Sequence, residues 1–395
     1  MNKNILNPDI QNFIRQNTDT DINRMLLGKQ MFEGINTKEL TEQIDSRKRC
    51  EKKLPLWFDT PLIYYPPKIS VEQSSSEITA QFKATLAKGK TLIDLTGGLG
   101  VDSYYFEKHG LEVTHCETDR ELSNISKHNS KILSAPNIQF YAGDGLNRMV
   151  KDSFYDTIYA DPSRRVNSQK VFKLRDCRPD IMENLHLFKS RSLRIIIKTS
   201  PLLDIQAGLS ELGQVNQIYI LSVKNDCKEL LWVIDTQEKS ADTEIVCITF
   251  SNNTEFKKYK FILAEERSFT FTQFSKPLNY LYEPDAALMK SGAFKLITRD
   301  YQVFKLHPNS HLYTSNEFRN DFMGRKFLVF KIIPYKNFSK ENKVKNANII
   351  SRNFPLNTAK IKDKHKLKDG GDDFLIFTTD YLGVMIVIHC KKIAL

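Results

Sequence analysis

The sequence predicts an α/β fold, with a mostly parallel seven-stranded sheet at its core, a helical segment before it and small α+β domains after it. Three observations support this prediction. Runs of β-type and helix-type residues alternate from residue 91 to about 198, which is typical of parallel sheets. The last two β-type runs of the core are joined only by KNDCKE, which indicates a hairpin and an antiparallel final strand. The first run ends in the glycine-rich TLIDLTGGLGVD, a turn typical of a strand that leads into a ligand-binding helix.

The length and charge of the chain limit the number of domains and the kind of partner that can be expected. The chain has 395 residues and a net charge of +11, so it is long enough for about two or three domains. Residues 324–395 hold fifteen Lys and Arg against six Asp and Glu. A local basic surface suggests a polyanionic partner, with nucleic acid first. The alternative is a lysine-rich surface that is only solvated.

Cysteine usage and apolar patterning exclude several other classes. The six cysteines are scattered, with no CxxC pair and no zinc spacing, which fits a reduced compartment and predicts no metal site. The N-terminus lacks the apolar run of a signal peptide, and no apolar stretch approaches the roughly 18–20 residues that span a bilayer. We therefore expect a soluble, cytoplasmic protein with no membrane partner.

The elements can be placed in chain order. Residues 1–60 predict a helical segment, because Ile10 and Ile14 share one helix face and Leu40 and Ile44 share another. TPLIYYPPKIS predicts an extended linker, and one of the serines at 74–76 is the expected cap of the next helix.

The core, predicted over residues 61–238, is defined by seven β-type runs. They are Thr91–Leu95, Glu112–Cys116, Ile138–Tyr141, Asp156–Ala160, Leu193–Lys198, Gln217–Val223 and Leu230–Asp235. Three further regions follow: a β-rich extension at 239–278 with the runs TEIVCITF, KYKFILA and SFTFTQF, a segment at 279–322 with a turn and a short helix, and a basic β-rich domain at 323–395.

The glycine turn and the acids that follow neighbouring strands predict a cofactor site. Glycines let backbone amides approach a ligand closely, and an acid at the end of the second strand can accept hydrogen bonds from a ribose diol. This pattern is the arrangement of a class I S-adenosylmethionine methyltransferase with a Rossmann-like core, since the third glycine of a dinucleotide-binding GxGxxG turn is missing. Asp119 remains an alternative to Glu117 as the ribose ligand. The predicted cofactor residues of this region are Asp94, Thr96, Gly97, Gly98, Gly100, Asp102, Glu117, Asp144 and Gly145.

The fourth strand ends in YADPSRR, which predicts the catalytic residues Asp161, Pro162, Ser163 and Arg164. Amino-methyltransferases carry Asp/Asn-Pro-Pro-aromatic at this place. An exocyclic amine is a poor nucleophile, because its lone pair is delocalised into the ring. Acceptors on its N–H groups, held by a proline-fixed turn, can orient that lone pair toward a methyl sulfonium. The alternative is that the acid only caps a turn and that the arginines form surface ion pairs.

Basic residues elsewhere predict contacts with the substrate. Arg165 and Lys198 lie at the same expected sheet edge, in YADPSRR and KTSPLLD. Helix capping by Ser200 is an equally good explanation of the second motif. In the tail, lysines can meet phosphates without reading sequence. These tail lysines are Lys362, Lys364, Lys366 and Lys368.

Six segments together resemble a Bacteroidota family of class I methyltransferases that carries a ferredoxin-like segment and a C-terminal THUMP-like domain. The segments are YPPKISVEQSSSEITAQFKA, DLTGGLGVD, DPSRR, KTSPLLD, YEPDAALMKSGAF and RNFPLNTAKIKDKHKLKDGGDDFL. The resemblance implies a ferredoxin-like segment at 279–322 and a THUMP-like domain at 323–395. It also implies that Glu72, Gln73 and Ser75 approach the cofactor, and it associates the chain with tRNA or rRNA modification.

These observations predict a methyltransferase that uses S-adenosylmethionine and modifies an exocyclic base nitrogen of tRNA or rRNA. The main alternative is an enzyme of the same fold that acts on a small molecule or a protein side chain. A binding protein that has kept the fold and lost the chemistry is a third class. It is the least favoured, because both the glycine turn and Asp161 are present.

Overall fold

The computed structural model describes residues 1–151, 154–163, 165–166, 169–170, 174–238, 242–251, 255–270 and 273–393. The chain forms two compact units. The first unit comprises Met1–Asn216 and Leu231–Ser240, and the second comprises Gln217–Leu230 and Ala241–Leu395. The strand Asp226–Asp235 therefore contributes residues to both units.

The helices of the first unit begin with the predicted N-terminal segment and then alternate with strands. They are α1 Pro8–Gln16, α2 Ile22–Leu26, α3 Thr37–Lys53, α4 Pro55–Asp59, α5 Lys68–Gln73, α6 Glu77–Ala84, α7 Val101–Lys108, α8 Arg120–Ile132, α9 Gly145–Lys151, α10 Ile181–Ser190 and α11 Ile205–Leu212. Short 3₁₀ turns lie at Lys3–Leu6 and Leu174–Asp176. Ser76 caps α6 by accepting a hydrogen bond from the N–H of Thr79, so one of the three serines expected at this cap does occupy it.

Parallel strands form the sheet of the first unit in the order β7-β4-β1-β2-β3. Their bounds are β1 Thr91–Asp94, β2 Glu112–Glu117, β3 Ile138–Ala142, β4 Tyr155–Ala160 and β7 Ser192–Thr199. A small antiparallel pair, β5 Arg165–Val166 and β6 Gln169–Lys170, lies between β4 and β7 in the sequence. The central strands are apolar and buried, as expected for a parallel sheet that is covered on both faces. The predicted alternation of strands and helices is confirmed.

The stretch between α4 and α5, predicted as an extended linker, is fixed to the core by hydrogen bonds of its backbone. The N–H of Tyr64 donates to Asn129 Oδ1, and the N–H of Tyr65 donates to Gln43 Oε1, both at 2.9 Å. Both tyrosines are buried. The linker therefore packs as part of the unit.

The second unit begins with the predicted hairpin. Strands β8 Gln217–Val223 and β9 Asp226–Asp235 are separated by Lys224 and Asn225, both of which have positive φ. Two successive residues with positive φ are typical of a tight hairpin turn. Strand β10 Glu244–Phe250 pairs in parallel with β8, and β11 Phe256–Ile262 pairs antiparallel with β10. The β-rich extension therefore adds β10 and β11 to the sheet beside β8. The sequence did not predict this pairing.

A seven-stranded sheet of the second unit has the order β13-β14-β12-β15-β18-β17-β16. Its strands are β12 Tyr280–Pro284, β13 Phe304–Lys305, β14 Tyr313–Ser315, β15 Gly324–Pro334, β16 Asn348–Ser351, β17 Asp373–Thr379 and β18 Met385–Lys392. The helices of this unit are α12 Leu263–Ser268, α13 Ala286–Ser291, α14 Leu296–Asp300, α15 Phe338–Glu341 and α16 Thr358–His365, with a 3₁₀ turn at Tyr335–Asn337.

Two segments of the second unit differ from the sequence-based interpretation. The run YLYEPDAALMKSGAFKLI, expected to be a turn that leads into a short helix, begins with the strand β12 and then continues into the helix α13. The expected β-type run SFTFTQF begins at the last residue of α12 and includes residues 271–272, which lie outside the described residues. In the rest of this run, Phe274 forms an isolated bridge with Lys305.

Candidate active site

The glycine turn connects β1 to α7 at the carboxyl edge of the first unit's sheet. Gly98 has φ +55° and Gly100 has φ +81°, and Gly100 is the left-handed residue that precedes α7. A Cβ on Gly98 would meet no atom closer than the Thr96 carbonyl oxygen at 3.9 Å. A Cβ on Gly97 would lie 2.1 Å from the His115 ring. Gly98 therefore faces open space, whereas Gly97 is required by close packing.

A buried polar chain supports the turn from below. Asp94, at the end of β1, is only 1% exposed and accepts hydrogen bonds from Ser103 Oγ at 2.6 Å and from the N–H of Thr96 at 3.0 Å. Ser103 Oγ also lies 3.0 Å from His115 Nδ1. Burial raises the pKa of Asp94 to about 7 and lowers the pKa of His115 to about 3. Asp94 therefore lies beneath the turn, where its carboxyl group accepts hydrogen bonds from Ser103 and Thr96.

Glu117, the last residue of β2, reaches the glycine turn. Its Oε2 accepts a hydrogen bond from the N–H of Gly98 at 2.9 Å, and its Oε1 accepts one from the N–H of Asp119 at 2.8 Å. Asp119 caps α8 instead, because its Oδ1 accepts from the N–H groups of Glu121 and Leu122 at 2.8 and 3.2 Å. Of the two candidate ribose ligands, Glu117 is the one that faces the turn.

The other predicted residues of the cofactor set lie at neighbouring strand ends. Asp144 is exposed and accepts a hydrogen bond from the N–H of Leu146 at 2.9 Å at the start of α9. A Cβ on Gly145 would come within 2.9 Å of the Leu95 backbone, so this glycine lets the chain pass close to β1. Gln73 ends α5 and is exposed.

Asp102 is the centre of a buried network that sequence reasoning largely missed. Its Oδ2 accepts hydrogen bonds from Ser75 Oγ at 2.7 Å and Tyr159 OH at 2.9 Å. Lys83, fully buried on α6, lies 3.0 Å from Asp102 Oδ1 and donates to Ser75 Oγ at 2.6 Å. Burial alone would raise the pKa of Asp102, but the charges of Lys83 and Lys198 hold this pKa below its usual value. The network ties the glycine turn to the helix before β1 and to β4.

Asp161 follows β4 and is held from two sides. Its N–H donates to Thr96 Oγ1 at 2.6 Å, which joins the ends of β4 and β1. Its carboxylate forms an ion pair with Lys198 of β7. The side chain of Lys198 is 11% exposed and that of Asp161 is 33% exposed. The structure therefore brings these two predicted residues together at the carboxyl edge of neighbouring strands.

The rest of the YADPSRR motif is partly described. Pro162 is buried and Ser163 is exposed, and the backbone of Ser163 forms a two-bond bridge with Arg178 at 2.8 and 3.0 Å. Arg164, a predicted catalytic residue, lies outside the described residues. For Arg165, a predicted substrate contact, the structure describes the strand β5 but not the side chain.

In the KTSPLLD motif, the residue that caps the helix is not the expected Ser200. Asp204 caps α11, because its Oδ1 accepts from the N–H of Ala207 at 2.9 Å. Ser200 instead accepts from the N–H of Leu202 at 3.2 Å within a turn before the helix. The capping role proposed for Ser200 is therefore wrong, because α11 begins later than the sequence pattern indicates.

The tail lysines of the second unit lie in and after α16. Lys364, Lys366 and Lys368 are exposed. Lys362 is half-buried and its ammonium lies 2.6 Å from Asp369. The first three are thus available to a phosphate, whereas the charge of Lys362 is already compensated.

Metal clusters and membrane-spanning helices are both absent from the described residues. No group of three or more His, Cys, Asp or Glu side chains in this part of the chain is placed to hold a metal ion. None of the described helices is both long enough and apolar enough to cross a bilayer.

Comparison with known proteins places this geometry in a known fold. Residues 280–322 match the model of a ferredoxin-like domain, and residues 324–392 match the model of a THUMP domain-like region. The crystal structure of a "putative methyltransferase from Porphyromonas gingivalis" superimposes with a TM-score of 0.87 at 29% identity and covers 99% of both chains. This chain has a class I methyltransferase fold with ferredoxin-like and THUMP-like domains. The predicted fold class and the resemblance to a Bacteroidota family are confirmed.

Curated relatives match shorter stretches of this methyltransferase-fold protein. An "uncharacterized S-adenosylmethionine-dependent methyltransferase" of Mycobacterium tuberculosis is 21% identical over 164 residues, 41% of this chain and 44% of that protein. A 23S rRNA (uracil(747)-C(5))-methyltransferase of Pyrococcus abyssi is 31% identical over 81 residues, 20% of this chain and 19% of that protein. The names of these relatives agree with the enzyme class and cofactor predicted from the sequence. The chain spans less than half the length of either relative.

Proposed function

We propose that this protein transfers a methyl group from S-adenosylmethionine to an exocyclic base nitrogen in tRNA or rRNA. The observation that carries the proposal is the hydrogen bond between the N–H of Gly98 and Glu117 Oε2, with open space above Gly98. β1 lies between β2 and β4. The glycine turn after β1 therefore lies between Glu117 and Asp161, which follow the two neighbouring strands. Ligands of open α/β folds bind at this edge.

The residues of the turn fit the cofactor. Gly98 provides backbone that a ligand can approach closely, and the Glu117 carboxylate provides acceptors for a ribose diol. Asp144 is exposed at the end of the third strand, where it can meet an adenine edge. Asp94 supports the turn from below. S-adenosylmethionine supplies an electrophilic methyl group on a sulfonium centre.

Asp161 and Lys198 are the residues assigned to the methyl acceptor. We assign Asp161 to accept a hydrogen bond from the target amine and to orient its lone pair. Pro162 fixes the turn that carries this acceptor. The Lys198 ammonium holds one carboxylate oxygen of Asp161, which limits the orientations that the carboxylate can adopt. Such positioning is a large part of catalysis when two reactants must meet in one geometry.

RNA is favoured over other substrates by features of the second unit. Its THUMP domain-like region at 324–392 contains the exposed Lys364, Lys366 and Lys368. The Pyrococcus abyssi relative is named for an rRNA substrate. In the alternative, in which the substrate is a small molecule or a protein side chain, these lysines have no role in substrate binding.

A filter-binding series over salt tests the RNA half of the proposal. Replacing Lys364, Lys366 and Lys368 together by Ala should weaken binding of total tRNA. It should also flatten the log–log salt dependence by about 0.7 for each single-strand phosphate that the variant no longer neutralises. Lys362→Ala is the matched control, and its effect should be smaller because Asp369 already compensates this charge. Unchanged affinity and slope in the triple variant would contradict RNA binding by this surface. That result would not contradict cofactor binding, which calorimetry measures separately.

A further inference from the structure

Two lysines of the second unit converge on one carbonyl group. Lys257 of β11 donates to the Asn320 carbonyl oxygen at 3.4 Å. Lys326 of β15 donates to the same oxygen, and its Nζ lies 3.5 Å from Asn320 Oδ1. The two ammonium groups are therefore neighbours, although like charges at short range repel.

The Lys326 ammonium is also poorly hydrated. The residue is 2% exposed, and its Nζ lies 5.7 Å from the centre of the Phe318 ring. Burial, followed by the neighbouring charge of Lys257, lowers the pKa of Lys326 to about 8. A buried ammonium is costly unless an anion or several acceptors compensate it.

Acidic side chains compensate the positive charges of Lys257 and Lys326 only weakly. Among the residues that the structure describes, no carboxylate lies within 4.0 Å of either ammonium. Burial and the charge of Lys257 lower the pKa of Lys326, and the opposing effect of the Asp321 carboxylate is smaller than either. By contrast, Lys260 on the same strand as Lys257 has Glu244 at 2.9 Å. The two converging lysines therefore retain donors for which the described part of the protein provides no anionic acceptor.

The position lies partly at the surface, since Lys257 is half-buried whereas Lys326 is buried. Asn320 and Asp321 are exposed in the turn that precedes β15. Each lysine has three N–H donors and no acceptor, so one carbonyl oxygen leaves most of these donors unused. An oxyanion of phosphate presents several acceptors to such a pair and reduces the repulsion between the two charges.

We propose that Lys257, Lys326 and the Asn320 turn form a binding site for a phosphate group, either as free phosphate or as a phosphodiester of RNA. The site shares no residue with the glycine turn or with the tail lysines discussed above. Only the phosphodiester source rests on the proposed RNA function.

Thermal unfolding of the full chain tests the site with inorganic phosphate, compared with chloride at equal ionic strength. Phosphate should raise the Tm of the wild type beyond the chloride control. Lys257→Met and Lys326→Met should each weaken the phosphate affinity at least about tenfold, the loss expected for one hydrogen bond to a charged group. Lys258→Met is the matched control, because Lys258 is exposed on the same strand and is adjacent to Lys257. It should bind phosphate as the wild type does.

Lys257→Met keeps the test valid if the Lys326 variant does not fold, since Lys257 is only half-buried. The site is overturned if phosphate stabilises the wild type no more than chloride does, or if Lys257→Met binds phosphate like the wild type.

A second arm distinguishes the two sources of phosphate. If the ligand is RNA backbone, inorganic phosphate should compete with a single-stranded oligoribonucleotide. Lys257→Met should then lower the log–log salt slope of oligonucleotide binding by about 0.7. If only inorganic phosphate binds, the site stands with free phosphate as its ligand. This result separates failure of the RNA proposal from failure of the site.

Discussion

The N–H of Gly98 donates a hydrogen bond to Glu117 Oε2 at 2.9 Å. This bond joins the glycine turn after the first strand to the acid that ends the second strand. The turn and the acid therefore keep a fixed geometry relative to each other before any ligand binds. Preorganised backbone and carboxylate groups reduce the ordering cost of binding, so a change at either residue should affect ligand affinity.

The first prediction concerns Glu117. Glu117→Gln should weaken S-adenosylmethionine binding by about 1.5–3 kcal/mol, because hydrogen bonds to a charged acceptor are removed. Asp119→Ala is the matched control. It should leave cofactor affinity nearly unchanged but lower the free energy of unfolding by about 1 kcal/mol, because Asp119 caps α8. Calorimetry and urea unfolding measure the two effects. A loss of cofactor affinity in the Asp119 variant alone would reassign the ribose ligand.

The second prediction separates two adjacent glycines. Gly98→Val should fold, with a penalty of about 1–2 kcal/mol for a left-handed residue with a side chain, and should lose cofactor binding because the side chain fills the open space above the turn. Gly97→Ala should unfold far more readily, since its Cβ would collide with His115. Circular dichroism and calorimetry distinguish these outcomes. Wild-type cofactor affinity in Gly98→Val would remove the turn from the cofactor site.

The third prediction concerns the Asp161–Lys198 pair. Asp161→Asn should reduce kcat by about 10²-fold or more, because misplacement of a reacting group alone can have that effect, while cofactor affinity changes little. Lys198→Met should lower kcat less and leave KM for RNA nearly unchanged, since Lys198 acts by holding Asp161. Steady-state methylation assays give both constants. A Lys198 variant that raises only KM would identify this lysine as a direct substrate contact.

The fourth prediction is a pH dependence of stability. The pKa of Asp94 is about 7 in the folded protein and 3.8 in its ordinary state. The folded state therefore binds this proton more tightly, and the contribution of Asp94 to stability falls as pH rises from about 4 to 7, by at most about 1.4 kcal/mol per pH unit. Asp94→Asn should remove this slope. Urea unfolding of the wild type and of Asp94→Asn at pH 5 and pH 7.5 tests this prediction. If the free energy of unfolding changes equally between the two pH values in both proteins, Asp94 is ionised in the folded state.

Much of the fold was predictable because its signals are local. Thr91–Asp94 and Gln217–Val223 lie within one residue of the predicted strands, since both are short apolar runs bounded by turn residues. The parallel pairing of Glu244–Phe250 with Gln217–Val223 was not predicted. Pairing between strands that are distant in sequence depends on packing, which leaves no local pattern.

The candidate site likewise combines residues that local motifs predict with residues that only the fold brings together. The acids at strand ends and the glycine turn were visible as motifs, and so was Asp161. Lys83 was not, because a lone lysine in a helix is usually a solvated residue, and only the fold buries it against Asp102. The sequence likewise could not distinguish Glu117 from Asp119, because their different hydrogen-bond partners depend on the fold.

The most direct test of the central claim is methyl transfer itself. RNA from cells that lack the gene is incubated with S-adenosylmethionine and either the wild-type protein or Asp161→Asn, and its nucleosides are then analysed by mass spectrometry. We expect wild type to produce one base-methylated nucleoside that the untreated RNA lacks, and Asp161→Asn not to produce it. If wild type binds the cofactor but no RNA nucleoside gains a methyl group, the assignment of RNA as the substrate is contradicted.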